Sequence, residues 1–451
     1  MSEYTNYLAN LQNRAKVIAT EDIHSDQGVL LAKSGAEFNK KIYDNILKFK
    51  LLKPLEDSIA ISNQLNAKSV YNRISQFIYT DPSLNAINES LGDKLVLQKC
   101  CLQLEKYPLL LQKLTVLSLE MREVFDQAIL SSYLSYICGL TNQENQQTIN
   151  EYFLAGLSHD IGLLHIDRYI LNKKETLTAD EWRKIQSHPI IGYEILKRID
   201  NFPKKVSNAV LEHHENIDGT GYPRAKRSQD ISHLGQAISL VDNVIAIYNK
   251  KFKPLNRSLR GLIPILQINM HSYFPEEISL ILRTLKQVPE STIEEYATTI
   301  VNELVVHVKK EQDYVQRIIE EMIKVNKTIG LRHNDNEVSA TQNIANNIIM
   351  IAHSAGLSDS NYNFWLQEIG HMESQSLYNE IEDTRLMLDE VVYHLQTYQK
   401  AASVFISKNS DNGIAKKIQS IINQFETTKR PSPSQALVAH WKSLQDKKIT
   451  K

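Results

Sequence analysis

The feature that most constrains this chain is a set of metal-binding residue types gathered in one stretch. Six such side chains lie between residues 159 and 242: His159, Asp160, His188, His213, His214 and Asp242. Several of them stand in apolar surroundings, and an imidazole or carboxylate without a partner is costly to bury. A shared metal ion would satisfy all six, so the chain is predicted to fold around a metal centre. A structural metal or a buried hydrogen-bonded network is the alternative.

Composition limits what else the chain can be. The 451 residues exceed one ordinary hydrophobic core, so two or three domains are expected. With 51 basic and 52 acidic residues the net charge is -1, which gives no electrostatic basis for binding a nucleic-acid polymer or an anionic membrane. No run of about 18 uncharged apolar residues occurs, and the N-terminus lacks a basic flank and an apolar stretch. We therefore expect a cytoplasmic protein without a membrane span.

The cysteines exclude one class of metal site. Only Cys100, Cys101 and Cys138 are present, and they form no CxxC pair. Neither a disulfide framework nor a cysteine-zinc site is supported. Any metal must therefore be held by His, Asp and Glu.

Local patterns predict a mainly α protein in three segments. Residues 1–65 are predicted to form a small α/β module, with strands in the apolar runs 15–19 and 28–32 and a helix over 39–50. Residues 66–330 are predicted to be an all-helical domain with its core at about 120–290. Thr178 and Glu181 form a capping box that opens one of its helices, and a later helix is predicted over 257–273. Residues 338–451 are predicted to be a helical C-terminal region.

The C-terminal region carries an apolar stripe with a heptad repeat. Its members alternate in spacing between four and three residues: Leu377, Ile381, Thr384, Leu388, Val391, Leu395, Tyr398 and Ala402. Such a stripe forms either the buried face of a helix in a closed bundle or the seam of a dimerising coiled coil. A homodimer or a protein partner bound through these helices therefore remains a possible interpretation.

The six ligand-type residues also indicate a reaction class. Imidazole and carboxylate together suit iron, manganese or zinc. Two cations bridged by one carboxylate form a recurrent phosphoesterase arrangement, in which an activated water attacks phosphorus in line. Asp160 is the natural bridge and the predicted catalytic residue. The predicted reaction is phosphoester hydrolysis.

The motifs in this stretch resemble those of the HD-GYP branch of the HD metal-dependent phosphohydrolases, bacterial enzymes that hydrolyse cyclic di-GMP. They are His159-Asp160-Ile161-Gly162, His188-Pro189 followed by Gly192, His213-His214-Glu215, Asp218-Gly219-Thr220-Gly221-Tyr222-Pro223, and Asp242. The resemblance covers residues 120–290. It implies an all-helical HD fold, cyclic di-GMP as substrate, and two divalent metal ions, iron or manganese in preference to zinc.

The resemblance also implies roles for individual residues. The six residues named first become metal ligands, and Glu123 stands where some members place a carboxylate for a third metal. Residues of the Gly-Tyr-Pro loop would line the nucleotide pocket: Asp218, Gly219, Gly221, Tyr222 and Pro223. Lys251 and Lys253 fall where the family carries basic residues that hold substrate phosphates.

Two positions depart from the family pattern. Gln127 stands where the family has an upstream histidine, and Leu163 stands where it has a lysine that neutralises phosphate charge. An amide coordinates iron or zinc more weakly than imidazole does. The chain is therefore interpreted either as a phosphodiesterase with reduced activity or as a degenerate module that binds cyclic di-GMP for signalling. A pure interaction protein built on the HD scaffold is a third alternative.

Overall fold

The computed structural model describes residues 3–11, 14–255, 257–270, 273–290, 298–330, 336–356, 376–409 and 413–446. The chain divides into two compact units, Met1–Ile247 with Ser272–Pro289, and Tyr248–His271 with Glu290–Lys451. These units do not coincide with the three predicted segments. The small N-terminal module is part of the first unit, and residues 298–329 pack within the second.

The fold is mainly α, as the sequence predicts. In chain order the helices of the described residues are α1 (Glu3–Asn10), α2 (Lys40–Lys48), α3 (Ala67–Thr80), α4 (Pro82–Leu91), α5 (Lys94–Gln103), α6 (Pro108–Glu120), α7 (Arg122–Thr141), α8 (Gln146–Ser158), α9 (Arg168–Leu171), α10 (Ala179–Ile185), α11 (His188–Lys197), α12 (Lys204–Glu212), α13 (His233–Ile247), α14 (Ile263–Ile268), α15 (Pro275–Leu285), α16 (Thr298–Ile329), α17 (Asn336–Ser354), α18 (Ser376–Lys408), α19 (Gly413–Thr427) and α20 (Gln435–Asp446).

The N-terminal module contains two small antiparallel sheets. In one, β1 (Val17–Ala19) pairs with β4 (Ile59–Ile61), and in the other, β2 (Ile23–His24) pairs with β3 (Leu30–Ala32). The predicted strand regions 15–19 and 28–32 therefore contain β1 and β3. The predicted helix over 39–50 is α2, and the Asn39 side chain caps it by accepting a hydrogen bond from the Ile42 amide.

Close backbone packing of α7 against α8 forms the centre of the first unit. A Cβ atom at Gly156 would lie 2.6 Å from the carbonyl oxygen of Ser131, so only glycine fits there. The facing part of α7 carries the small buried residues Ser131, Ser132 and Ser135. Small residues on both helices therefore let the two backbones approach, and α8 ends in a fixed position one residue before His159.

Two further glycines bring the segment after α8 against α11. A Cβ atom at Gly162 would lie 2.0 Å from the His188 carbonyl oxygen and 2.8 Å from the Gly192 amide nitrogen. Gly162 belongs to a single 3-10 turn, Ile161–His165, which follows directly on Asp160. The glycines thus hold Asp160 and His188 in adjacent parts of the fold.

The predicted helix over 257–273 is wrong in its extent. The structure has a 3-10 turn, Leu259–Leu262, followed by the short helix α14, which ends at Ile268. Pro264 lies in the first turn of α14, where its missing amide hydrogen and fixed φ are tolerated. The proline therefore starts a new helix at this point and excludes a continuous one.

The apolar stripe of α18 faces the core of the second unit. Ile381, Leu388 and Leu395 are fully buried and pack in a cluster with side chains of α16, α17 and α19. The closed-bundle interpretation therefore accounts for the stripe. Leu377, the first residue of the predicted stripe, lies outside the residues whose side chains the structure describes.

Among the described helices, none combines the length and apolarity needed to cross a lipid bilayer.

Replacement of Leu388 tests the closed bundle. Leu388→Ala removes a fully buried side chain and should destabilise the second unit by about 2–5 kcal/mol. Tyr393→Ala, a matched control on the same helix at a position 58% exposed, should cost less than about 0.5 kcal/mol. Urea unfolding followed by circular dichroism measures both. Should Leu388→Ala leave the unfolding unchanged but dissociate a dimer in sedimentation experiments, the coiled-coil interpretation would be favoured instead.

Candidate metal centre

Three histidines of the candidate site are held by the helix ends that precede them. In each, the Nδ1 atom lies within hydrogen-bond distance of the carbonyl oxygen three residues earlier: His159 on Gly156 (2.9 Å), His188 on Ile185 (2.8 Å) and His213 on Val210 (2.6 Å). Those carbonyls belong to the last turns of α8, α10 and α12 and have no partner within their helix. Since Nδ1 is the donor, the neutral ring carries an unprotonated Nε2. This is the arrangement in which imidazoles bind metals.

The Nε2 atoms meet one carboxylate in a buried cluster. Asp160, His188, His213 and His214 each offer one ligand atom, and these atoms all lie within 4.8 Å of one another. His188 Nε2 is 3.2 Å from His213 Nε2, while Asp160 Oδ1 is 3.3 Å from His188 Nε2 and 3.9 Å from His213 Nε2. Two unprotonated nitrogens repel each other at 3.2 Å unless a proton or a cation lies between them. The residues therefore fit a metal ion.

A second group of ligand atoms shares Asp160. His159 Nε2 lies 3.3 Å from Asp160 Oδ2 and 3.2 Å from Asp242 Oδ1. These are ion-pair distances, but the angles are not those of a hydrogen bond, so this fully buried nitrogen lacks a hydrogen-bond partner. Asp160 thus directs one oxygen toward His188 and His213 and the other toward His159. Its carboxylate occupies the position that a bridging ligand requires.

The electrostatics of the cluster favour neutral rings at His213 and His214 beside ionised carboxylates. Burial, together with His188, lowers the pKa of His214 to about 3, and burial with His214 lowers the pKa of His213 well below its usual value. Burial alone would raise the pKa of Asp160, but His159 and His188 hold it well below the ordinary range. Burial likewise disfavours charge on His159, yet Asp160 and Asp242 raise its pKa well above the usual value. The carboxylates thus already attract a cation to this place.

Gln127 reaches the cluster from α7. Its side-chain nitrogen donates a 2.6 Å hydrogen bond to Asp242 Oδ1. Glu123 lies one turn earlier, exposed at the start of α7, and is not in the close group around Asp160. Leu163 is buried in the turn that follows Asp160. The structure thus brings Gln127 to the six ligand-type residues, while a ligand role for Glu123 stays a prediction.

A buried glutamate anchors the Gly-Tyr-Pro loop. Glu215 accepts hydrogen bonds from the backbone amides of Arg224 (2.7 Å) and Lys226 (2.8 Å) through its two carboxylate oxygens. Gly221 passes so close to this segment that a Cβ atom there would lie 2.4 Å from the His214 carbonyl oxygen. The loop is therefore held directly against the backbone segment that contains the histidine pair.

Tyr222 brings an aromatic face to the cluster. Its ring stacks on His214, with centroids 4.7 Å apart and planes inclined by 30°, and its amide donates to the His214 carbonyl oxygen. Pro223 follows through a cis peptide bond. Earlier in the loop, Asp218 accepts a hydrogen bond from the Thr220 amide, and Gly219 adopts a φ of +80°, which favours glycine. The predicted loop residues thus adopt a defined conformation next to His214.

The two predicted phosphate-binding lysines belong to the second unit. Lys251 Nζ lies 3.7 Å from Glu390 Oε2 of α18, and Lys253 Nζ lies 5.9 Å from the centroid of the Tyr248 ring. Their role in holding substrate phosphates stays a prediction.

Sequence reasoning missed the residues that support the loop. Glu212 is buried, accepts a hydrogen bond from the Ser232 amide (2.9 Å) and pairs with Lys226 Nζ (2.7 Å). Glu215 was noted only as part of a motif. The sequence did contain a signal for this support, because Glu212 and Glu215 flank the histidine pair just before a glycine-rich loop. Backbone amides in such a loop need acceptors, and a nearby carboxylate can provide them.

Comparisons with known proteins match part of the chain to a family model and to several phosphodiesterases. Residues 106–278 match the family model described as the HD domain. The chain is 31% identical over 137 residues to the 3'3'-cGAMP-specific phosphodiesterase 3 of Vibrio cholerae, covering 30% of this chain and 30% of that protein. It is 31% identical over 163 residues to a cyclic di-GMP phosphodiesterase of Borreliella burgdorferi (36% and 42%) and 31% identical over 148 residues to one of Thermotoga maritima (32% and 39%).

These matches confirm the predicted resemblance to the HD-GYP phosphohydrolases. The matched segments nevertheless span less than half the length of each of these relatives.

Removal of the Glu215 carboxylate should loosen the loop without emptying the cluster. Glu215→Ala removes the acceptor of the part-buried amides of Arg224 and Lys226, and each of these hydrogen bonds to a charged group contributes about 1.5–3 kcal/mol. Hydrogen exchange in residues 216–227 should accelerate at least tenfold. Glu194→Ala on α11, for which the structure shows no such anchoring contact, serves as the control. Unchanged exchange in Glu215→Ala would show that the loop is held by other contacts.

Proposed function

We propose that this chain, whose residues 106–278 are an HD domain, is a metal-dependent phosphodiesterase that hydrolyses cyclic di-GMP. One observation carries the proposal: the Nε2 atoms of His188 and His213 face each other at 3.2 Å beside Asp160. The relatives support the substrate class, since they are named for cyclic di-GMP or for 3'3'-cGAMP.

In this proposal the cluster holds two divalent cations. His188, His213 and His214 would bind one, His159 and Asp242 the other, and Asp160 would join both. Glu123 would supply a carboxylate for a third. Iron or manganese suits a donor set of imidazoles and carboxylates without thiolates. When bound, such a pair of cations makes a water acidic enough to ionise near neutral pH and neutralises charge on the phosphoryl oxygens.

The chain's own residues would orient and enclose the substrate. The helix ends fix the three imidazole rings, so little reorganisation is needed when a phosphodiester arrives. Tyr222 would present its ring to the nucleotide, with Asp218, Gly219, Gly221 and Pro223 shaping the loop around it. Lys251 and Lys253 would contact phosphate. A protein partner or homodimer through the C-terminal helices belongs to the same proposal.

The second candidate function is a module that binds cyclic di-GMP without hydrolysing it. Gln127 favours this function, because its amide group satisfies Asp242 with a hydrogen bond. Leu163 also favours it, since a buried apolar side chain offers no charge to a phosphate. The loop and the six ligand-type residues would then serve recognition alone.

Replacement of the bridging carboxylate tests the metal centre. Asp160→Ala should remove most of the iron or manganese and abolish any hydrolysis of cyclic di-GMP, because both cations depend on this side chain. Elemental analysis after anaerobic, metal-replete preparation measures the content directly. Asp180→Ala, at an exposed aspartate on α10, should retain both metal and activity. Equal metal content in wild type and Asp160→Ala would refute the bridging role.

Restoration of the two altered positions distinguishes enzyme from binding module. Gln127→His with Leu163→Lys should raise kcat for cyclic di-GMP by about 10²-fold, because both groups would stabilise charge that develops on the phosphoryl oxygens. The two changes touch one site and can couple, so the single variants are measured as well. Leu163→Met controls for a change of side-chain shape without charge.

Two other outcomes of the rate measurements would change the interpretation. A wild type that already hydrolyses cyclic di-GMP as fast as the double variant would show that Gln127 is competent or dispensable. If neither protein hydrolyses it while both bind metal and nucleotide, the binding module is the better description.

A further inference from the structure

A second cluster of ligand-type residues lies in the first unit, at the starts of two helices. His233 is the first residue of α13, and Glu276 and Glu277 lie in the first turn of α15. His233 Nδ1 is 2.7 Å from Glu277 Oε1 and 3.8 Å from Glu276 Oε2. One ligand atom from each of the three residues lies within 4.8 Å of the others. The cluster is distinct from that around Asp160 and shares no residue with it.

Glu277 carries a polar atom that nothing in the described structure satisfies. Its side chain is 5% exposed, and its Oε2 atom is buried without a hydrogen-bond partner. The residue lines a cavity of about 610 Å³, together with His233, Tyr152 and Arg283. A buried carboxylate oxygen without a partner is unfavourable, so an occupant of the cavity that contacts Glu277 would be stabilising.

Protonation of Glu277 alone does not satisfy its Oε2 atom. Burial raises the pKa of Glu277, which favours the neutral acid. A proton on Oε2 would, however, need an acceptor, and Oε2 has no hydrogen-bond partner of either kind. A proton on Oε1 can be donated to an unprotonated His233 Nδ1, but this leaves Oε2 without a partner. A cation bound by both oxygens of Glu277, together with His233 and Glu276, would contact Oε2 and satisfy the carboxylate in its ionised form.

We propose that His233, Glu276 and Glu277 form a second metal site, for a divalent first-row transition cation such as Zn²⁺. One imidazole nitrogen and two carboxylates suit zinc, whereas Mg²⁺ and Ca²⁺ prefer oxygen ligands throughout. His233 and Glu276 are exposed, so the cation can enter from solvent and keep water ligands. The site does not depend on the proposed phosphodiesterase activity.

A cation bound at this site would stabilise the packing of two helices. The site joins α13 to α15, two helices of one compact unit that are separated in sequence by residues 248–271 of the other unit. A cation bound only by the folded form raises stability in proportion to the logarithm of its free concentration. Occupancy should therefore raise the unfolding temperature of the full-length protein.

Metal retention in matched variants of the full-length chain tests the proposal. The protein is stripped of metal, loaded with Zn²⁺ in excess Mg²⁺, passed through gel filtration and analysed for zinc. His233→Ala and Glu277→Gln should each retain one equivalent less than their parent, and both should lose the zinc-dependent rise in unfolding temperature. Glu277→Gln keeps the shape of the side chain, and His233 is exposed, so both variants should fold. The parent value should persist in Glu144→Gln, which changes a carboxylate of the same cavity outside the cluster.

The same comparison in an Asp160→Ala background separates this site from the other. A loss of one equivalent on Glu277→Gln in both backgrounds supports the proposal, whatever the content of the Asp160 centre. Equal zinc in Glu277→Gln and its parent would overturn it. Equal losses in Glu277→Gln and Glu144→Gln would also overturn it, because they would show diffuse attraction to acidic groups.

Discussion

The structure around the candidate metal centre depends on how three helices end. His159, His188 and His213 each satisfy a carbonyl of the last turn before them through Nδ1, so the direction of Nε2 is set by the position of a helix terminus. Successive residues of an α-helix are rotated by about 100°, so a shift of one residue in any of these ends would turn a ring away from the cluster. Glycines at 156 and 162 fix the ends by letting backbones approach.

A consequence of this geometry is that the cluster around Asp160 presents a set of donor atoms that suits a cation. Asp160 and Asp242 are held ionised in a buried place, and the nitrogens of His188 and His213 face each other. Hydrogen bonds to carbonyls prevent the rings from rotating to relieve the contact. The helical fold of this segment agrees with the HD domain family model that residues 106–278 match.

The sequence predicts the helical class and the capping box at Thr178, because these depend on local pattern. It does not predict that Gln127 donates to Asp242, or that Lys251 lies near Glu390, since these contacts join residues far apart in the chain. The prediction of one helix over 257–273 is wrong for a local reason, because a new helix begins with Pro264 in its first turn. The anchoring of the loop by Glu215 could not be predicted, because it depends on which backbone amides of the loop turn toward this side chain.

The route of the chain has a consequence for biosynthesis. The first unit leaves off at Ile247 and resumes at Ser272, and the resumed segment supplies α15, whose buried Ile278, Ile281 and Leu285 complete the core against α7 and α13. A ribosome delivers residues in order, and domains tend to fold as they emerge. The core of the nascent first unit therefore cannot be completed until the segment after residue 271 has left the exit tunnel. Until then, the apolar surface that α15 will cover remains exposed. During that interval the growing chain exposes apolar surface of the kind that chaperones shield from aggregation.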